Sequence, residues 1–151
     1  MDIKKVKVTE VGPRDGFQSE KTVLKTEDKI SIINDLIGAG FPRIEVSSFV
    51  SPKAIPQLAD AEIILSKVNR SPNTTLAALV PNARGAIRAV EANLDEIVVF
   101  LSASESHNKK NVNRNVDESL IGFREIADIA GKNNIPIQGD IATAFGCPFE
   151  G

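Results

Sequence analysis

The chain has 151 residues, 42% hydrophobic and 25% charged, which is the composition of one folded domain with its own core and not of a disordered segment. A formal net charge of −2 gives no electrostatic case for nucleic acid or an anionic membrane, and no apolar run is long enough to span a bilayer. The first residues, Met-Asp-Ile-Lys-Lys, lack the apolar core of a secretory signal. The single cysteine, Cys147, cannot close an internal disulfide, so the expected setting is a reducing cytoplasm, or an organelle matrix if a targeting segment is missing.

Strands and helices are expected in strict alternation along the chain. The first strand is read over Lys4–Thr9. Glu27–Gly38 carries Ile30, Ile33 and Ile37 at helical spacing, and Gly38-Ala-Gly40 stops it. Arg43–Ser47 is the second strand. Pro56–Val68 is the second helix, with Ala61, Ile64, Leu65 and Val68 on one face. Thr75–Val80 is a strand, Ala83–Ala92 a helix, and Glu96–Leu101 a strand built on the apolar run Ile97-Val-Val-Phe-Leu101. Asp117–Asn133 is the fourth helix, with Leu120, Phe123, Ile126, Ala127 and Ala130 expected inward. Pro136–Ala142 is the fifth strand.

Apolar strands alternating with amphipathic helices imply parallel strands and right-handed crossovers. Units of roughly 30 residues fit either a (β/α)8 barrel or an open doubly wound sheet. No G-x-G-x-x-G follows the first strand, which weakens the dinucleotide-binding form. The helix-to-strand links are short turn sequences. The strand-to-helix links carry the reactive groups: Arg14, Asp15 and Gln18, then Glu45 and Ser48, then Asn82, then Glu105, His107 and Asn108, then Thr143 and Cys147. Sites in parallel α/β folds lie at the carboxyl ends of the strands, so one functional face is expected there.

The segment Val11-Gly-Pro-Arg-Asp-Gly-Phe-Gln-Ser-Glu20 is the densest in chemistry. Gly12, Pro13 and Gly16 make a turn at a strand end, and the turn presents a fixed cation, Arg14, beside a carboxylate, Asp15. That pairing suits an enzyme that stabilises an oxyanion next to a metal. Three further segments stand with it: Ile44-Glu-Val-Ser-Ser-Phe-Val-Ser-Pro-Lys53, Ala103-Ser-Glu-Ser-His-Asn-Lys-Lys-Asn-Val-Asn113 and Phe145-Gly-Cys-Pro-Phe-Glu-Gly151. Together the four resemble 3-hydroxy-3-methylglutaryl-CoA lyase, of the metal-dependent TIM-barrel lyases and synthases.

The resemblance implies an α/β fold of (β/α)8 TIM-barrel type, with residues 1–151 as the N-terminal portion of one catalytic domain and only the first five strands present. It implies metal-assisted cleavage of 3-hydroxy-3-methylglutaryl-CoA to acetyl-CoA and acetoacetate, with Mg²⁺ or Mn²⁺ as cofactor. Asp15 is then a metal ligand, with assistance in removing the tertiary hydroxyl proton as a further role. Arg14 faces the thioester carbonyl oxygen, where one strong oriented donor is worth roughly 3–4 kcal/mol. Glu45 holds Arg14 or the water structure in place, and Gln18 and Ser48 contact substrate or metal-bound water. The family's H-x-H metal ligands, its metal-ligating asparagine and its glycine-rich cysteine loop come later in the barrel than the segments matched. Cys147 falls in the Gly-Cys-Pro-Phe-Glu-Gly segment instead and reads as a packed or semi-exposed thiol. His107 reads as part of a solvated polar loop with Asn108, Lys109, Lys110, Asn111 and Arg114, whose other use is to meet the CoA phosphates.

Two alternative functions share the same residues. One is a Claisen-type condensing synthase or a carboxyltransferase on the same metal site. The other is a truncated fragment, inactive alone, whose open sheet edge drives self-association or awaits a C-terminal half.

Overall fold

The computed structural model describes residues 6–151. Four parallel strands, β1 (Arg43–Ser48), β2 (Thr75–Leu79), β3 (Glu96–Ser102) and β4 (Ile137–Ala142), lie side by side in chain order. The helices are α1 (Phe17–Ser19), α2 (Thr26–Gly38), α3 (Ala61–Lys67), α4 (Ala83–Glu91), α5 (Glu105–Val112) and α6 (Val116–Lys132). A doubly wound sheet reverses its strand order at a switch point. This sheet does not reverse, and it winds as one continuous part of a barrel wall.

The main core lies between the sheet and one layer of helices. Ile44 and Val46 of β1, Leu76 and Ala78 of β2, and Ile97 and Val99 of β3 meet Ile33 of α2, Ile64 and Leu65 of α3, Ala86 and Ala89 of α4, and Ile126 and Ala130 of α6. The opposite face of the sheet carries a smaller cluster, Ala77, Leu79 and Val98 with Phe100 against it. Period-2 alternation along each strand sends neighbouring residues to these two clusters. Helix α4 packs close because Gly85 faces the backbone of the β1–α3 connection: a Cβ there would stand 3.0 Å from the Phe49 carbonyl oxygen. Asn93, Asn113 and Asn134 follow α4, α5 and α6 with φ near +55°, the left-handed conformation in which asparagine substitutes for glycine at a helix end. Among the described residues no helix is long and apolar enough to cross a membrane.

Four expectations need correction. The first strand does not form a ladder among the described residues: Lys4 and Lys5 lie outside them, Val6–Thr9 form no strand, and the only sheet pairing of this segment among the described residues is a parallel bridge from Glu10 to Ile44. Val6 and Val8 are 85% and 57% exposed, so the alternating valines have nothing to pack on. The helix read over Pro56–Val68 is a 3-10 turn, Pro56–Leu58, followed by α3, although its buried face of Ala61, Ile64, Leu65 and Val68 is as expected. His107 and Asn108 belong to a helix, α5, and not to a loop. In α6 the inward stripe is Ser119, Phe123, Ile126 and Ala130, while Leu120 and Ala127 are exposed. A buried serine, satisfied by hydrogen bonds, begins that stripe, and a pattern of apolar residues alone cannot reveal it.

Candidate active site

The turn that opens the site is a single wide helical turn, Gly12–Gly16, with the Asp15 amide bonded to the Val11 carbonyl at 2.7 Å. It runs into α1 without a break. Glu10 braces it, its carboxylate accepting the Gly12 amide at 2.6 Å. A Cβ on residue 12 would fall 2.9 Å from that carboxylate oxygen, so a side chain there would push the Glu10 carboxylate off the Gly12 amide. The turn covers its two charged side chains unequally: Arg14 is 18% exposed, whereas Asp15 is 61% exposed.

Strand β1 supplies the partner. Its pairing with β2 slips between Glu45 and Ser47, a β-bulge. Before the slip Glu45 pairs with Ala77, and after it Ser48 pairs with Leu79. Ala77 and Leu79 share the small cluster on the face away from the helices, so the bulge brings Glu45 and Ser48 to one face where plain alternation would separate them. Arg14 Nε donates to Glu45 Oε2 at 2.9 Å and Arg14 Nη1 to Asp15 Oδ1 at 2.7 Å. Glu45 is almost fully buried and is held by Arg14 and, at 3.7 Å, by Arg43.

A cleft of about 670 Å³ opens at the carboxyl ends of β1, β2 and β3, floored by Ser48, Leu79 and Phe100. Arg14, Asp15 and Gln18 form one wall, Val50, Ser51, Ile55 and Asn82 the rim, and Lys110–Arg114 with Phe123 the far wall. The structure therefore brings Arg14, Asp15, Gln18 and Ser48 onto one cleft and places Glu45 beneath Arg14. The lining carries three cations, Arg14, Lys110 and Arg114, against one carboxylate, Asp15. Such a surface favours an anionic ligand.

The far wall is built by α5. Ser104 caps it, accepting the His107 amide at 3.1 Å. Asn108 is fully buried and holds three elements at once. Its oxygen accepts the Ser102 amide of β3 at 3.0 Å, and its amide group donates to the Arg114 carbonyl and to Ser119 Oγ of α6, both at 2.9 Å. Asn108 thereby ties the elbow carrying Lys110–Arg114 to both β3 and α6. His107 Nδ1 lies 2.7 Å from Ser102 Oγ, and its ring is tilted against Phe149 at 6.0 Å. Lys110 Nζ sits 4.4 Å from the centroid of that same phenyl ring.

Cys147 Sγ lies 2.9 Å from Ser104 Oγ. Burial raises the pKa of the thiol, but the Ser104 hydroxyl and the Phe149 and Glu150 amides outweigh it and hold the thiol below its ordinary range. Glu150 accepts the Ser106 amide at 2.8 Å, which lowers its own pKa. These contacts fasten residues 147–150 to α5 behind the cleft wall, and none of the four lines the cleft itself.

The donors do not by themselves make a metal site. Among the described residues no group of three or more His, Cys, Asp or Glu side chains could hold an ion. Asp15 offers one carboxylate oxygen not taken by Arg14, and Glu45 is committed to arginine.

Arg43 and Glu96 were not singled out from sequence. Arg43 Nε and Nη2 donate to both carboxylate oxygens of Glu96 at 3.1 and 3.2 Å, and Nη1 to Thr9 Oγ1 at 3.1 Å. The available signal was Arg43-Ile-Glu45, two charges at strand period in a segment bounded by apolar residues.

A profile described as HMGL-like matches residues 5–150 of the chain. A hydroxymethylglutaryl-CoA lyase of Bacillus subtilis is 47% identical over 147 residues, covering 97% of this chain and 49% of that protein. A crystal structure of a B. subtilis HMG-CoA lyase superposes with a TM-score of 0.94 at 47% identity, covering 98% of this chain and 50% of the other. The structure of an HMG-CoA lyase from A. baumannii, in complex with coenzyme A and 3-methylmalate, superposes with a TM-score of 0.90 at 47% identity. The chain spans about half the length of the relatives it matches.

Proposed function

We propose, from the premise that this chain belongs to the HMGL-like family, that it carries the acyl-CoA-binding half of a carbon–carbon lyase site. The reaction is cleavage of 3-hydroxy-3-methylglutaryl-CoA to acetyl-CoA and acetoacetate. Residues 1–151 are the N-terminal portion of its barrel domain, and a reducing compartment, cytoplasm or organelle matrix, is the setting. The observation that carries this reading is a half-buried guanidinium, Arg14, fixed by a buried carboxylate and lining a cation-rich cleft at the strand ends.

Each residue's part follows from its position. Arg14 points its donors at the thioester carbonyl oxygen, where enolate charge develops as the C–C bond breaks. Because Glu45 already orients it, little reorganisation is left for the reacting state. Gln18 and Ser48 contact the acyl group from the cleft wall and floor. Lys110 and Arg114 meet the phosphates of coenzyme A. Asp15 contributes one oxygen to a divalent cation, Mg²⁺ or Mn²⁺. The described residues do not complete such a shell, so no step is assigned to the ion.

Calorimetric titration of the chain with 3-hydroxy-3-methylglutaryl-CoA tests the site. We expect saturable binding that Arg14→Met weakens about tenfold or more. No binding, or equal binding by the variant, removes this reading of the cleft. Acetoacetate release by a chain extended to its relatives' full length tests the reaction, and none above background removes the lyase assignment.

A further inference from the structure

We infer that Arg43 is a positioning residue, which orients Arg14 through Glu45. The observation is an unbroken ladder of alternating charge across the sheet. It runs Asp15, Arg14, Glu45, Arg43, Glu96, with successive contacts of 2.7, 2.9, 3.7 and 3.1 Å. Its centre is buried: the Arg43 and Glu45 side chains are 3% and 4% exposed. Three elements contribute, the Gly12–Gly16 turn, β1 and β3, and the ladder joins them where the backbone does not.

The sheet register explains how the ladder forms. Ala77 of β2 pairs with Glu45 on one side and with Glu96 on the other. Its methyl leaves open the space between two carboxylates that stand two strands apart, about 10 Å at ordinary strand spacing. Only a long cation can bridge that gap, and Arg43 does so with both prongs on Glu96 and its remaining nitrogen toward Glu45 Oε1. Glu45 Oε2 is thereby turned to Arg14 Nε. Without Arg43, Glu96 loses its cation, Glu45 keeps only Arg14, and nothing selects the oxygen presented to Arg14. Glu96 is the anchor of the ladder, and Thr9 Oγ1 satisfies the end of Arg43 that faces away from it.

The functional weight of Arg43 rests on the reading of Arg14 given above, but its test needs no substrate. Phenylglyoxal modifies free guanidinium groups, and peptide mass spectrometry of the intact 151-residue chain gives a rate for each arginine. Arg88, bonded to Glu62 and similarly exposed, reports whether the fold holds. We expect Arg43→Met to speed modification of Arg14 about fivefold with Arg88 unchanged. Arg43→Lys, which restores the charge without the fork, should leave Arg14 faster than in the native chain but slower than in R43M. An Arg14 rate unchanged in R43M with Arg88 steady overturns the proposal. So does equal behaviour of R43M and R43K, because shape alone would then suffice. If R43M speeds both arginines, the fold has loosened and Glu96→Gln decides. That variant keeps Arg43 in place without its anchor, and should speed Arg14 about twofold with Arg88 steady. No change in Arg14 there overturns the proposal. Absence of acyl-CoA binding would bear on Proposed function alone and leave these rates to be read as they stand.

Discussion

Strands β1 and β4 run parallel in one sheet, yet one is covered throughout and the other scarcely at all. All six residues of β1 are buried, four of them polar: Arg43, Glu45, Ser47 and Ser48. In β4 no residue reaches full burial, and Ile137 and Ile141 are 39% and 63% exposed. β1 has Glu10 on one side and β2 on the other, with α3 across its outer face, whereas β4 is paired only with β3 among the described residues. The difference teaches where this sheet keeps its chemistry. Polar groups are tolerated in a covered strand where they are matched to a charge or a hydrogen bond, as Arg43, Glu45 and Ser48 are in β1. Among the described residues Ser47 Oγ is the one buried polar side-chain atom without a partner, at the bulge that realigns Glu45 and Ser48.

The covered side should therefore be brittle. Lys29 of α2 is almost wholly buried, donating to the Gln57 carbonyl at 2.6 Å and to Asp60 at 2.9 Å, while Thr26 also holds Asp60 at 2.8 Å. This knot ties the segment after β1, including the cleft residues Ser51 and Ile55, onto α2. Lys29→Met leaves Asp60 unpaired and should cost about 3–5 kcal/mol in urea unfolding. A loss below about 1 kcal/mol would mean that the covered side is not specified by its buried charges.

A matched pair of truncations sharpens the contrast. Ile44→Ala removes a fully buried side chain from β1 and should cost about 2–5 kcal/mol, whereas Ile141→Ala in β4 should stay within about 0.5 kcal/mol. Equal losses in the two unfolding curves would erase the distinction between the strands.

Much of this architecture was legible in the sequence. Ile97-Val-Val-Phe-Leu101 can be little else than a buried parallel strand, and Ala61, Ile64, Leu65 and Val68 mark their helix face without ambiguity. What escaped was held by polar contacts between distant residues. Helix α5 has almost no apolar face, and its buried residue is Asn108, which earns burial through three hydrogen bonds to groups beyond its own helix. The bulge in β1 carries no glycine to announce it. The first strand looked right locally, but a strand exists only where a neighbour pairs with it, and among the described residues of that segment only Glu10 has one. The cleft residues Arg14, Asp15, Gln18 and Ser48 were gathered from their motifs; Arg43 and Glu96 become visible only once β2 lies between them.

The exposed side should be adhesive. Besides Ile137 and Ile141, Ile121 of α6 is 60% exposed and Phe145 fully so, and β4 presents an edge. Such a surface is a template for another chain. We expect the 151-residue chain to elute from size exclusion as oligomers whose size rises with concentration. Ile141→Lys should shift it toward the monomer with little change in unfolding free energy. A native monomer at every concentration would show that β4 is not adhesive.

The smallest effect tests whether surface charge on the covered side contributes to the same stability. Arg88 of α4 donates to Glu62 of α3 at 2.6 Å, lies 5.4 Å from the Phe49 ring centroid, and reaches the Phe49 and Val50 carbonyls at 3.3 Å. Burial raises the pKa of Glu62, but the bond from Arg88, a backbone bond and the charge of Arg88 outweigh it and hold the carboxyl below its ordinary value of 4.5. A carboxyl whose folded pKa is lowered binds its proton more readily in the unfolded chain. Its contribution is present above pH 4.5 and is lost as the pH falls through the lower, folded value. Glu62 is 41% exposed, so solvent screening keeps the contribution under about 1 kcal/mol. Glu62→Gln should therefore be less stable than the native chain by a few tenths of a kcal/mol, up to about 1, at neutral pH, with the gap closing toward acid and in roughly 1 M salt. A gap that is constant from neutral to acid pH would assign the loss to packing of the side chain and not to its charge.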